Sequence, residues 1–125
     1  MSRLPTRVLG LLLVLGTLGV VPLAADARDD ARRQVEFGIE VAQRGLWREA
    51  IYRWERAVSI DPTYAAAHNN LAIALQSAGQ FTEAVAEFRR ALALRPDDAE
   101  VQANLARILA RVEASADLSP NSQSP

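Results

Sequence analysis

Apolar residues recur with helical spacing along most of this chain. Between residues 48 and 60 they fall at Ile51, Trp54 and Val58, three or four residues apart, which places them on one face of an α-helix. Pro62 follows, and it ends the helix because it has no N–H and clashes with the preceding turn. This combination of an apolar face and a terminating residue predicts an all-α chain.

Four further segments show the same pattern. Asp29 or Asp30 is expected to cap the first helix and Asp97 or Asp98 the last, because a carboxylate accepts hydrogen bonds from the free N–H groups at a helix start. A glycine or a proline ends each of the first four predicted helices: Gly45, Pro62, Gly79 and Pro96. The five predicted helices cover approximately residues 30–44, 48–60, 64–78, 82–94 and 98–112.

Two stretches of the chain repeat each other at a fixed offset of 34 positions. Residues 45–62 lie over residues 79–96 with identical Gly, Glu, Ala, Arg, Ala and Pro, and each tryptophan of the first stretch lies over a phenylalanine of the second. A fixed period of this length indicates stacked helical hairpins. Such a stack presents an extended surface rather than a catalytic pocket.

The repeated residues resemble the tetratricopeptide repeat family. Residues 31–64 resemble one repeat and residues 65–98 a second, while residues 99–113 resemble the first helix of a third repeat or a capping helix. The resemblance implies two helical hairpins and one closing helix, stacked as a right-handed superhelix. The second repeat carries the match at Asn70, Leu71, Gly79, Phe81, Glu83, Ala84, Phe88, Ala91, Leu92 and Pro96.

Small residues recur with the same period at Gly38, Ala72 and Ala106. We expect them to let helix axes approach within roughly 8–10 Å. Trp47 and Trp54, together with the phenylalanines that align with them in the second repeat, are then expected to fill the spaces between helices.

The two ends of the chain fall outside the repeats. Arg3 and Arg7 precede an apolar run, residues 8–21, and small residues follow, an order typical of a secretory signal peptide. We expect cleavage after Ala27 or Ala25, and the alternative is an uncleaved anchor, since the apolar stretch approaches a bilayer-spanning length. The predicted protein is exported, periplasmic after cleavage or anchored in the inner membrane without it. Its predicted parts are a signal (residues 1–27), a repeat domain (residues 28–113) and a polar, disordered tail (residues 114–125).

Composition and charge exclude several functions. The net charge is −1 and becomes −3 when Arg3 and Arg7 leave with the signal, which argues against nucleic acid as a partner. The absence of cysteine excludes disulfides and thiolate chemistry. The single histidine, His68, is interpreted as a packing residue, because no second His, Cys or carboxylate stands at metal-ligand spacing near it. No catalytic or phosphate-binding motif occurs, so we predict no enzymatic activity, no cofactor and no metal.

The resemblance also implies a partner surface, because in this family the first helices of successive repeats line a concave groove. Asn70 and Asn104 are expected to pair with a peptide backbone through their amides, and Arg107 and Arg111, at i and i+4, to hold a carboxylate. The chain departs from the family's carboxylate clamp, since it has no lysine and has Glu36 in place of the first asparagine. The predicted groove residues are Arg32, Glu36, Ile39, Asn69, Asn70, Ile73, Gln76, Ser77, Asn104, Arg107 and Arg111, with Val35, Gln43 and Ala103 on the same helices.

The sequence therefore predicts a non-enzymatic scaffold or adaptor that binds another protein or peptide of the bacterial cell envelope in this groove. Two alternatives stay open. In one, residues 8–25 are retained and the protein is a membrane-anchored assembly factor of an envelope complex. In the other, the short array self-associates into a homo-oligomer, because two repeats bury little core and about three are usually needed for stability.

Overall fold

Five helices make up the part of the chain that the computed structural model describes, residues 24–118. No strand occurs among these residues, and none of their helices is long and apolar enough to cross a membrane. The predicted all-α class and the five helices are confirmed, while residues 1–23 and 119–125, with most of the predicted signal and tail, lie outside the described residues. The helices are α1 (Ala24–Gln43), α2 (Trp47–Ile60), α3 (Ala65–Ser77), α4 (Phe81–Leu94) and α5 (Ala99–Asp117).

The helices form two antiparallel hairpins, α1 with α2 and α3 with α4, and α5 packs on α4. Each hairpin turns on a glycine, Gly45 or Gly79, and both have φ +79°, a left-handed conformation that glycine adopts without steric cost. The residue after each glycine donates its N–H to a carbonyl five residues back; from Gln80 to Leu75 the distance is 2.9 Å. This bond satisfies a carbonyl at the helix end, so the two turns are equivalent structures.

An aromatic residue packed against a small one holds each hairpin together. Trp54 of α2 is 3% exposed, and a Cβ atom built on Gly38 of α1 would lie 2.8 Å from its Cδ1 and Cε2. The same indole donates to the carbonyl of Val35 at 3.2 Å. In the second hairpin Ala72 and Phe88 hold the equivalent positions and are fully buried. The predicted packing role of Trp54 and Phe88 is confirmed.

The packing predicted for Trp47 and Ala106 is wrong. Trp47, the first residue of α2, is 45% exposed, because its side chain borders an open hollow rather than a closed space between helices. Ala106 is exposed, because within the described residues no helix follows α5 in the place that α2 and α4 take beside α1 and α3. The repeat period predicts equivalent positions, but burial also requires the neighbouring helix.

The start of α1 also differs from the prediction. Because α1 begins at Ala24, Asp29 and Asp30 lie inside the helix and do not cap it. Their carboxylates pair instead with Arg32 and Arg33, each three residues later. The alanines around the predicted cleavage sites favour helix, which explains why the helix extends upstream into the last residues of the predicted signal.

The last helix is capped as predicted but is longer than predicted. Asp98 accepts the backbone N–H of Val101 at 3.2 Å, which confirms it as the N-cap of α5. The helix then continues to Asp117, so residues 114–117 of the predicted disordered tail are helical. Two alanines lie in that segment, and alanine has the highest helix propensity.

Arg28 of α1 contacts the loop between α2 and α3. Its guanidinium binds the carboxylate of Asp61 and the hydroxyl of Thr63, the latter at 2.9 Å, and lies 4.9 Å from the centre of the Tyr64 ring. Burial by itself would raise the pKa of Asp61, but hydrogen bonds from the Thr63 side chain, from Arg28 and from the Thr63 backbone outweigh it and lower that pKa. The loop between α2 and α3 is therefore fixed to α1.

Candidate protein-binding groove

A hollow of about 310 Å³ opens between α1, α2 and α3. Four predicted groove residues border it, and the structure therefore brings them together: Ile39 and Gln43 from α1, and Asn70 and Ile73 from α3. Ile39 and Ile73 hold equivalent positions in the two repeats, so the two first helices present them side by side. Ala42, Trp47 and Trp54 complete the lining.

The lining of this hollow is largely apolar and open to solvent. Ile39 is 39% exposed and Trp47 is 45% exposed, whereas Trp54 is almost fully buried. Covering exposed apolar surface is favourable, by about 25 cal/mol for each Å² removed from water, and an open apolar concavity with few polar groups is the usual form of a binding site. The hollow is suited to an aliphatic or aromatic side chain of a partner.

Asn70 places an amide group at the edge of the hollow. Its Nδ2 donates to the carbonyl of Ala66, in its own helix, at 2.8 Å. This bond holds the side chain and leaves the amide oxygen to accept an N–H group from a partner. The second N–H of the same amide also remains, so pairing of Asn70 with both groups of a peptide backbone stays a prediction.

The two arginines predicted to hold a carboxylate have separate partners. Arg107 donates to the side-chain oxygen of Asn104 at 3.2 Å. The guanidinium of Arg111 lies 5.1 Å from the centre of the Phe81 ring on α4, an arrangement of cation over aromatic face that is itself favourable. Neither arginine borders the hollow, and a joint carboxylate site between them stays a prediction.

The other predicted groove residues lie outside the hollow. Arg32 and Glu36 are exposed and face each other at 4.0 Å, Ser77 donates to a carbonyl of its own helix, and Gln76 is half-buried. The side-chain oxygen of Asn69 is buried and has no hydrogen-bond partner among the described residues, so it is closed off from solvent. These residues flank the hollow at most, and Asn69 belongs to the packing between helices.

Sequence reasoning missed Trp47 as a site residue. It was assigned to internal packing because it aligns with Phe81 in the repeat. Its place directly after the hairpin turn was the available signal, since the end of a hairpin is covered on fewer sides than its middle. The structure shows that this tryptophan forms one wall of the hollow.

His68 is a packing residue, as predicted, but it does have a carboxylate beside it. The imidazole is 3% exposed; its Nδ1 lies 2.6 Å from Oε2 of Glu87 and its Nε2 lies 2.8 Å from the carbonyl oxygen of Pro62. Sequence spacing did not reveal Glu87, because it comes from the neighbouring helix α4 and also pairs with Arg90. No cluster of three or more potential metal ligands occurs among the described residues.

Comparison with known proteins agrees with this architecture. The family model described as Tetratricopeptide repeat matches residues 42–108, which run from the end of α1 into the middle of α5. A search of curated proteins found no match.

Proposed function

Because the chain belongs to the tetratricopeptide repeat family, whose repeats are protein–protein interaction modules, we propose that it is an exported, non-enzymatic scaffold that binds a partner protein or peptide of the bacterial cell envelope. The observation that carries the proposal is the open apolar hollow between α1, α2 and α3. The partner inserts an aliphatic or aromatic side chain between Ile39, Ile73 and Trp47, and a backbone N–H of the partner donates to Asn70.

The arrangement of the helices supports binding to a preformed surface. Gly38 and Trp54 lock α1 to α2, and Arg28 fixes α1 to the loop that precedes α3. The walls of the hollow therefore come from elements that are already held together, which lowers the ordering entropy that a partner must offset.

Export is supported by the order of charges, apolar residues and small residues before Arg28. Cleavage after either Ala25 or Ala27 retains Arg28, and with it the contacts to Asp61 and Thr63. The membrane-anchored alternative has its own support, because the apolar stretch before the repeats approaches a bilayer-spanning length. If that run is retained, the repeats are held at the membrane surface.

The groove is tested by capture of partners from an envelope extract with the full chain, followed by mass spectrometry. Trp47→Ala should lose the partners, whereas Tyr52→Ala should keep them, because Tyr52 is an equally exposed aromatic residue of α2 outside the hollow. Equal recovery with both variants would show that the groove assignment is wrong. The mass of the chain purified from cells then separates the soluble form from the anchored form.

A further inference from the structure

The face of α5 that corresponds to the hairpin contact of α3 is uncovered. On α3 this face consists of Ala65, His68, Ala72 and Leu75, which are all buried, and His68 contacts Glu87 of α4. On α5 the residues 34 positions later are Ala99, Gln102, Ala106 and Leu109, hereafter the open face of α5. The first three are exposed and the fourth is half-buried, so α5 retains a surface for a second helix that the described residues do not supply.

The opposite end of the stack is built differently. Ala67 and Ala74 of α3 are buried where the first hairpin packs on them. The equivalent residues of α1, at the outer end of the array, are Arg33 and Glu40, which are exposed and charged. Polar residues of this kind close a repeat array against solvent. The open face of α5 consists instead of two alanines, Gln102 and a leucine, none of which is charged.

The sequence of residues 119–125 does not carry the pattern of such a second helix. Each second helix in the two hairpins has 14 residues, whereas the seven residues that follow Leu118 include Pro120 and Pro125 and no large apolar side chain. Proline within a helix removes a hydrogen bond and clashes with the preceding turn. Residues 119–125 therefore do not have the sequence of the helix that the open face would take.

We propose that the open face of α5 binds an amphipathic helix of a partner protein, which lies antiparallel to α5 as α4 lies beside α3. The partner side chain that packs against Ala106 is hereafter the anchor residue, and the two hairpins indicate its size. Gly38 faces Trp54 and has no room for a methyl group, whereas the equivalent residues of the second hairpin are Ala72 and Phe88, both fully buried. Because α5 has alanine at this position, Ala106, the partner's anchor is phenylalanine rather than tryptophan.

Gln102 indicates which residue of the partner helix precedes the anchor residue. Its Nε2 donates to the carbonyl of Pro96 at 2.7 Å, so its side-chain oxygen remains as an acceptor for the partner. The equivalent glutamine of α1, Gln34, uses that oxygen to accept from Arg53 at 3.4 Å, and Arg53 directly precedes the anchor Trp54. The partner helix thus carries Arg-Phe, with alanine three residues before the arginine and three after the phenylalanine, as Ala50 and Ala57 flank this pair in α2.

The surface beside the open face also fits a helix. A hollow of about 340 Å³ runs between α4 and α5 and is lined in part by Phe81, Val85, Leu109 and Val112. Val112 is 37% exposed. The equivalent of Leu109 is Leu75, which is 8% exposed beneath α4. A helix on α5 would cover this hollow in the same way and bury its apolar walls.

The chain itself supplies the probe. A dye-labelled synthetic peptide of residues 45–62 with Trp54→Phe contains the required pattern, and the unmodified peptide is its matched control. Titrated with the full chain and followed by fluorescence anisotropy, the phenylalanine peptide should bind more tightly than the tryptophan peptide. Ala106→Leu should weaken its binding roughly tenfold or more, because an oversized side chain fills the anchor site.

Two controls separate this surface from the groove and from the fold. Glu100→Leu adds the same side chain to α5 about a third of a turn away from the open face and should leave peptide binding unchanged. Trp47→Ala should also leave it unchanged, although it abolishes binding in the groove. Peptide binding that is absent, or that Ala106→Leu does not weaken, would overturn the proposal.

A second copy of this chain is the competing occupant. Sedimentation of the wild-type protein and the Ala106→Leu variant distinguishes it. A monomer with peptide binding supports the proposal, whereas a dimer that Ala106→Leu dissociates, without peptide binding, would assign the open face of α5 to self-association and overturn it.

Discussion

The fit between Gly38 and Trp54 allows a double-mutant cycle whose outcome the second repeat already indicates. Gly38→Ala puts a methyl carbon 2.8 Å from two atoms of the indole, closer than non-bonded carbon atoms approach. Trp54 is 3% exposed and its ring also donates to the Val35 carbonyl, so it has little freedom to move away. The second repeat has the compensated pair, Ala72 with Phe88, and both are fully buried.

The expected magnitudes follow from opposing terms. Overpacking costs about 1–3 kcal/mol, and alanine is about 1 kcal/mol more favourable than glycine in a helix, so the net destabilisation by Gly38→Ala should be at most about 2 kcal/mol. Trp54→Phe alone should cost about 1–2 kcal/mol, part of the 3–5 kcal/mol for truncation to alanine. The double variant Gly38→Ala/Trp54→Phe should be more stable than the sum predicts, by about 1–2 kcal/mol, because neighbouring residues couple.

Urea unfolding followed by far-UV circular dichroism measures the four free energies of unfolding. Far-UV dichroism reports helix content, so loss of the tryptophan does not disturb the signal. Additive effects, with no coupling between positions 38 and 54, would falsify the claim that the two residues are matched in size. A Gly38→Ala variant about 1 kcal/mol more stable than the wild type, the gain expected from helix propensity alone, would refute the steric argument itself.

Three further predictions concern the rest of the fold. Ala84→Leu should lower the free energy of unfolding by about 1–3 kcal/mol, since Ala84 is fully buried, whereas Ala106→Leu should change the thermal midpoint little. Equal thermal midpoints for these two variants would contradict the repeat register. The pKa of Asp61 is lowered below its ordinary value of 3.8, so its ionised form stabilises the fold above that pH, and this contribution is lost as the pH falls through the folded-state pKa. Asp61→Asn should therefore flatten the acid limb of a plot of unfolding free energy against pH, and an unchanged limb would count against the Arg28 contact. His68→Leu should destabilise by about 1–3 kcal/mol, because it leaves the Pro62 carbonyl without a partner and the buried Glu87 carboxylate with Arg90 alone. His68→Gln should cost less, as Gln102 makes the equivalent bond to Pro96, and a melt that does not separate the two variants would refute this interpretation.

Local patterns were sufficient to predict the helices and their pairing. Apolar spacing and terminating prolines gave five helices within a few residues of their observed bounds, apart from the start of α1 and the end of α5. The repeat period also identified Trp54 and Phe88 as the hairpin anchors. These features depend on neighbours that are near in sequence or related by the repeat, which is why the sequence alone reveals them.

The environment of the candidate site was less predictable. Trp47 is exposed although its repeat position suggested packing, and the oxygen of Asn69 is buried although its helix position suggested exposure. Arg111 faces the ring of Phe81 rather than a groove ligand. Each outcome depends on side chains of a different helix. The spacing of residues along one helix does not specify the rotamers of those side chains or their distances.

Ala106 shows how a wrong prediction of burial becomes informative. Its equivalents Gly38 and Ala72 are small because an aromatic residue of the next helix needs the space. An exposed position does not need a small residue, and a long polar residue there increases solubility, as Arg33 and Glu40 do at the other end of the stack. A small residue at position 106, with a leucine three residues later as on α3, is therefore best explained by a helix that covers it in the assembled state.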